Sequence, residues 1–334
     1  MKKNFSLKKL ASSREMSLVV VLFVLCVFVQ IRSGGSFLTA QSLGDMFRNY
    51  AVSMLLSLGM MGVLLVGGID ISIGSQIALS GVAAGLLMRA TIISSTLVAF
   101  VVSTVVGLVL GLIIGVIIAY GNVPPIITTM GFLNIYRSVA ILIAKSSWIS
   151  AKDIPENVKN FSLPQYGLFK VSNLVWITLV FYIIFFVYMK WTKSGRKIYA
   201  VGSNPDAAEV SGIRIKRIKL MVYAIMGTLS GIAGAMWVSL YGGIQGDAAA
   251  KGIEMDVIAS CVIGGVSLTG GRGSVVGVFL GSLTMAIIQK SLPLIGVSAF
   301  WKSAIKGAII ILAVILNVLA GRAVDRNNLK EREM

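Results

Sequence analysis

Few side chains in this sequence can move a proton, hold a metal or attack a carbonyl. Histidine is absent from all 334 residues. That removes the commonest general base, every histidine-centred triad and the usual transition-metal ligand. The two cysteines, Cys26 and Cys261, lie in apolar segments far apart, a spacing that speaks against a disulfide framework. No G-x-x-x-x-G-K-[ST] run occurs, nor CxxC, HExxH or GxSxG. GGRGSVVG, residues 270–277, has glycines at the wrong spacing for a dinucleotide fingerprint and apolar segments on both sides. The expectation is a chain with no catalytic residues, no metal ligands and no cofactor of its own.

What remains are ionisable groups in apolar surroundings. Asp70 interrupts a hydrophobic run, and a carboxylate there is expensive unless paired or functional. Its candidate partners are Arg272 and a helix N-terminus. Arg137 is the most deeply placed cation, able to snorkel, pair with an acid or line a polar path. Asp247, Glu254 and Asp256 form an acidic cluster expected at the outer membrane surface, where Glu254 and Asp256 can cap a following helix. Arg137 and these three acids are the candidate pathway or outer-face residues.

The elements that must position these groups are membrane helices. The chain is 56% hydrophobic and 13% charged, with mean hydropathy +0.89, against about 25% charged for an ordinary soluble domain. Several apolar runs reach the ~20 residues needed to cross a bilayer. Period-2 alternation is absent, so the fold class is all-α and polytopic. Ten spans fit best, near residues 17–31, 48–67, 72–88, 92–120, 124–144, 173–191, 218–240, 253–266, 274–290 and 300–320. They form a single transmembrane domain over 17–320, between an N-terminal tail (1–16) and a C-terminal tail (321–334). The basic N-terminus resembles a signal peptide but lacks a cleavage site, so the first span is expected to stay uncleaved.

The net charge of +17 is no sign of nucleic acid binding, because most of it flanks the spans. With both termini inside, 18 of the 30 Lys and Arg fall in inside segments, while the 145–172 loop carries four lysines. That bias predicts N-in, C-in. Within the inside loop, about 192–217, Ser203 or Asn204 can cap a short helix, with Pro205 at its first position and Asp206 in its first turn. Ala207, Ala208 and Glu209 propagate it, and Gly212 ends it. The plain reading is a capped surface loop, and the sharper one is a docking element for a soluble partner. The 145–172 loop is the natural contact for an extracytoplasmic partner, or a solvated connector with interfacial aromatics.

Glycine organises the spans. Ala99, Ser103, Gly107, Gly111, Gly115 and Ala119 make an unbroken small-residue face, and Gly227, Gly231 and Ala235 repeat the spacing. Gly273, Gly277 and Gly281 do so again, with Gly81 and Gly85 as a shorter version. Such faces permit close helix approach in lipid. Two glycine turns differ: Gly67-Gly68-Ile69-Asp70-Ile71-Ser72-Ile73-Gly74-Ser75, and Gly264-Gly265-Val266-Ser267-Leu268-Thr269-Gly270-Gly271-Arg272-Gly273-Ser274.

The segments VGGIDISIGS (66–75), KSGRKIYAVGSNPDAAEVSGI (193–213) and VIGGVSLTGGRGSVVG (262–277) resemble permease subunits of bacterial ABC importers for ribose and related monosaccharides. The likeness runs from about residue 17 to 320. It implies a pair of membrane subunits, of the same or paralogous chains, in the bacterial cytoplasmic membrane. Partner ATPase subunits would bind ATP and Mg, and an extracytoplasmic binding protein would deliver the sugar. The family's coupling helix falls on Asn204 to Gly212. Asn134-Ile135-Tyr136-Arg137, Trp148-Ile149-Ser150 and Pro155-Glu156 resemble the autoinducer-2 and rhamnose branches. Two other readings stand beside this one. The first is a self-sufficient secondary transporter using Asp70, Arg137 and Glu254. The second is a membrane enzyme or scaffold, and the missing nucleophile–base pair argues against the enzyme.

Overall fold

Each apolar run becomes a helix because a bilayer offers the backbone no other partner for its N–H and C=O groups. A computed structural model describes residues 14–298 and scattered positions between 301 and 315. The helices are α1 (Arg14–Arg32), α2 (Ala40–Leu65), α3 (Ile73–Arg89), α4 (Thr96–Tyr120), α5 (Pro125–Ile143) and α6 (Glu156–Asn160). They continue as α7 (Asn173–Trp191), α8 (Lys193–Ser203), α9 (Pro205–Val210), α10 (Ile215–Tyr241), α11 (Ile253–Ile263) and α12 (Val275–Leu294). The fold is all-α and polytopic. Nine expected spans coincide with helices, the second and seventh starting several residues early. The expected span 300–320 falls largely outside the described residues, and the 321–334 tail entirely so.

Six helices (α2, α4, α5, α7, α10 and α12) are long and apolar enough to cross a membrane. The most enclosed is α2: from Tyr50 to Leu65 every residue is buried. It packs against α10, α11, α12 and α7. By contrast α4, α5 and α7 turn large apolar side chains outward, as at Leu97, Ile127 and Ile183. A bilayer accommodates that outer surface without cost.

The α4–α10 contact is the most extensive in the molecule, and it runs along the expected glycine faces. A Cβ on Gly107 would overlap the Gly227 carbonyl, and one on Gly111 would overlap the Tyr223 carbonyl. The Ser103 hydroxyl donates to the Gly231 carbonyl at 2.7 Å. Gly277 and Gly281 of α12 meet the backbone of Gly264 and Ser260 at the end of α11 in the same way. Backbone-to-backbone approach of this kind tolerates no added methyl group.

The bundle has two ends, one carrying Asn204 and the other Arg89. At the Arg89 end the 145–172 loop is folded down rather than loose. Ile149 pairs with Ile244 in an isolated antiparallel bridge, and the hydroxyls of Ser162 and Ser239 donate to the carbonyls of Ser239 and Val158. Asp153 forms an ion pair with Arg89 at 3.2 Å. A Ser150 backbone N–H, then Arg89, hold the Asp153 carboxyl below its usual range.

Two outcomes test this packing. Gly111→Leu must separate two backbones, and should lower the unfolding free energy in detergent by about 3 kcal/mol or more. At the Asp153 loop the folded pKa lies below the unfolded one, so its stabilisation is present above the ordinary carboxylate range and lost as pH falls through the depressed value. The Tm advantage of the wild type over Asp153→Asn should therefore shrink below about pH 4. A gap independent of pH would show that the charge of Asp153 contributes nothing.

Candidate functional site

The loop at the Asn204 end holds two helices, not one. Thr192 caps α8 by accepting the Gly195 N–H at 3.0 Å, and Ile198 and Val201 turn its apolar side inward. The expected short helix follows directly as α9. Asn204, rather than Ser203, is its N-cap, accepting the Ala207 N–H at 3.0 Å, with Pro205 at the first position and Asp206 in the first turn. At the far end Gly212 adopts φ +77°. The Gly212 N–H donates to Glu209 and the Ile213 N–H to Ala208, which is the double bond pattern of a Schellman cap. Only Ala208 of α9 is buried, while Val210 is 91% exposed. The α8 helix was missed in the sequence, although Thr192 and the Ile198/Val201 pair signal it.

Ser203 has another place. It sits where α8 meets both glycine turns. Leu65, the last residue of α2, accepts the Gly271 N–H at 2.9 Å. Gly202 packs so closely on that pair that a Cβ would overlap the Leu65 carbonyl. Gly270 and Gly271 hold φ +93° and +71°. A Cβ on Gly270 would lie 3.2 Å from the Gly67 nitrogen, and one on Gly271 would lie 2.8 Å from the Ser203 Cα. Tyr199 donates to the Gly273 carbonyl at 2.9 Å, and burial raises its hydroxyl above the usual tyrosine range, keeping it a donor. Within the second turn the Ser267 N–H donates to Arg272 and its hydroxyl contacts Thr269. Gly264 and Gly265 close α11 before that turn. Thus Gly67, the 264–274 turn and the end of α8 form one junction of close contacts, while Gly68 packs on Tyr223 and Val63.

A second polar region lies deeper. Asp70 is fully buried, and its carboxylate accepts the Ser72 N–H (2.9 Å), the Ser72 hydroxyl (2.6 Å) and the Gln76 amide (2.9 Å). Of its two candidate partners, the start of the helix holds it. The whole arrangement closes the first turn of α3.

The three acids differ in exposure: Asp247 is exposed, while Glu254 and Asp256 are half-buried. Ile244 packs on Gly81 and Gly85 of α3, whereas Ala250 and Glu254 pack on Gly74. From Gly85 to Gly74 is eleven residues, about 16 Å along a helix axis. The 242–252 segment therefore descends beside α3 in irregular conformation before α11 begins. This explains why α11 has only 11 residues, about 16 Å against a ~30 Å hydrocarbon core. Glu254 and Asp256 do occupy its first turn. Irregular backbone at that depth needs internal donors. Arg137 supplies them, its Nη1 donating to the carbonyls of Gly246 (3.1 Å) and Ala249 (2.6 Å). Glu254 and Asp247 lie close enough to Arg137 to act on its charge. No group of residues able to hold a metal ion is found among the described residues.

Arg137→Met would strand both carbonyls in a buried setting. The unfolding free energy in detergent should fall by about 2–4 kcal/mol, and Arg137→Lys should recover part of it.

Three comparisons bear on what this architecture is. The family described as "Branched-chain amino acid transport system / permease component" matches residues 43–314. The chain is 36% identical over 298 residues to the ribose import permease protein of Bacillus subtilis (strain 168), covering 89% of this chain and 90% of that one. It is 31% identical over 322 residues to the autoinducer 2 import system permease protein of Salmonella typhi, covering 96% and 90%. The corresponding Escherichia coli O9:H4 (strain HS) protein is 32% identical over 328 residues, covering 96% and 92%. No solved structure matches significantly. The chain is a multi-pass membrane transport subunit and belongs to the branched-chain amino acid transport system permease component family.

Proposed function

We propose that this chain is the membrane subunit of an ATP-driven importer for a monosaccharide or an autoinducer-2-like sugar compound. The named relatives carry ribose and autoinducer 2, and the sequence has no nucleotide-binding run of its own. ATP and Mg are then bound by a separate cytoplasmic ATPase, and an extracytoplasmic binding protein presents the sugar at the Arg89 end. Two permease chains, identical or paralogous, enclose the pathway in the bacterial cytoplasmic membrane. The Lys and Arg bias supports placing both termini and the Asn204 end in the cytoplasm.

The observation that carries this reading is Val210. A large apolar side chain, 91% exposed, stands on a fully capped helix in an otherwise polar loop. That suits an anchor for a soluble partner's groove. The partner's closure would push α9 and hence Ser203 and Gly202. Those residues rest on the end of α2 and on the 264–274 turn, so the push reaches two spanning helices. Two of the three residues a secondary transporter would use are otherwise engaged, Asp70 by Ser72 and Gln76 and Arg137 by two carbonyls.

Reconstitution with the ATPase and binding protein tests the reading. Uptake should require ATP and survive collapse of the proton gradient. Val210→Asp, at a side chain 91% exposed, should leave Tm nearly unchanged while reducing co-purification of the ATPase about tenfold or more. Uptake driven by a proton gradient alone would refute the proposal.

A further inference from the structure

The 145–172 loop has two unlike parts. The first is pinned to the end of the bundle through Ile149, Asp153 and Ser162. Residues 164–171, PQYGLFKV, form two tight turns just ahead of α7 and point apolar side chains outward. Tyr166, Leu168 and Phe169 are all exposed, Phe169 to 81%. A cluster of large apolar groups at a loop tip needs something to cover it.

Trp176 shows what the cluster adjoins. It stands in the first turn of α7, at the head of a stripe formed by Val180, Ile183, Ile184 and Val187 at helical spacing, all exposed. On a helix long and apolar enough to cross a membrane, that stripe faces lipid. The Trp176 indole N–H donates to the Leu168 carbonyl at 3.1 Å, and its ring centroid lies 6.3 Å from that of Phe169. The cluster is therefore continuous with the lipid-facing side of α7.

The backbone suits the same surroundings. Carbonyls withdrawn from water need partners within the chain. Those of Leu163, Pro164, Gly167 and Leu168 accept the N–H groups of Tyr166, Gly167, Lys170 and Val171, and that of Tyr166 accepts the Asn173 amide. Phe169 and Lys170 hold φ +54° and +58°, a strained conformation for residues other than glycine. That strain sits at the most exposed aromatic of the loop. Charge agrees as well. No Asp or Glu occurs from 157 to 205, so nothing in the segment repels lipid phosphate, and Lys170 can snorkel toward it. Tyrosine and tryptophan are the side chains best suited to headgroup level.

We infer that residues 164–171 are a membrane-interface anchor. Tyr166, Leu168 and Phe169 enter the headgroup–acyl boundary of the leaflet at the Arg89 end, and Lys170 meets its phosphates. The pinned part of the loop is left facing water. The anchor requires only that α7 spans the bilayer, whatever solute is carried and whatever drives it.

The full-length chain in palmitoyl-oleoyl phosphatidylcholine nanodiscs, carrying Cys26→Ser and Cys261→Ala, tests this with a nitroxide on Leu168→Cys, Ile183→Cys or Lys152→Cys. Collisions with oxygen report lipid, and collisions with a polar nickel chelate report water. Ile183 supplies the lipid reference, and Lys152, exposed on the pinned part of the loop, the water reference. The label at 168 should sit about 5–10 Å into the boundary, favour oxygen, and meet the chelate about threefold less often than the label at 152. Phe169→Asp should raise chelate collisions at 168 about threefold, with the labels at 152 and 183 unchanged. Equal chelate access at 168 and 152 would overturn the proposal and leave the cluster to a soluble protein partner. No response at 168 to Phe169→Asp would overturn it too.

Discussion

Irregular backbone inside a bilayer must find every hydrogen bond within the protein, and this chain is arranged around two places where that demand is met. The 242–252 segment leaves helical geometry at depth, and Arg137 closes its carbonyls from a neighbouring helix. The 66–72 segment leads into the first turn of α3, where Asp70 gathers the Ser72 and Gln76 donors. Both segments exist because α3 and α11 start inside the bundle, their first turns abutting at Gly74, Ala250 and Glu254. Polar side chains are spent here on holding backbone, so their rarity elsewhere in the spans is the expected complement.

Around these segments the packing is set by glycine. The close α4–α10 seam and the α11–α12 contact bring backbones together with no side chain between them. Lipid gives helices little hydrophobic reason to associate, so such contact carries the association. At the Asn204 end the same device joins α8, the end of α2 and the 264–274 turn. The junction is made largely of main-chain atoms, joined by the hydroxyls of Tyr199 and Ser203.

Much of this was legible in the sequence. Apolar run length gave nine helices, the small-residue spacing gave their seams, and Asn204, Pro205 and Gly212 gave α9 nearly to the residue. What was hidden depended on long-range contact. The sequence of GGID and SLTGG offers two unrelated turns, and only folding brings Gly67 beside Gly270. Asp247, Glu254 and Asp256 look alike in the sequence, yet Asp247 is exposed and the other two half-buried, because local composition carries no information about depth. Arg137 could be placed in a span, but its carbonyl partners lie more than a hundred positions away.

The capping of α9 has a consequence for assembly. Its ends are closed by its own Asn204 side chain and its own Gly212 turn, so its shape exists before anything binds it. A soluble subunit docking there spends no conformational entropy on ordering the segment. On the proposed docking reading, encounter would then be a rigid-body event that requires no folding of the segment.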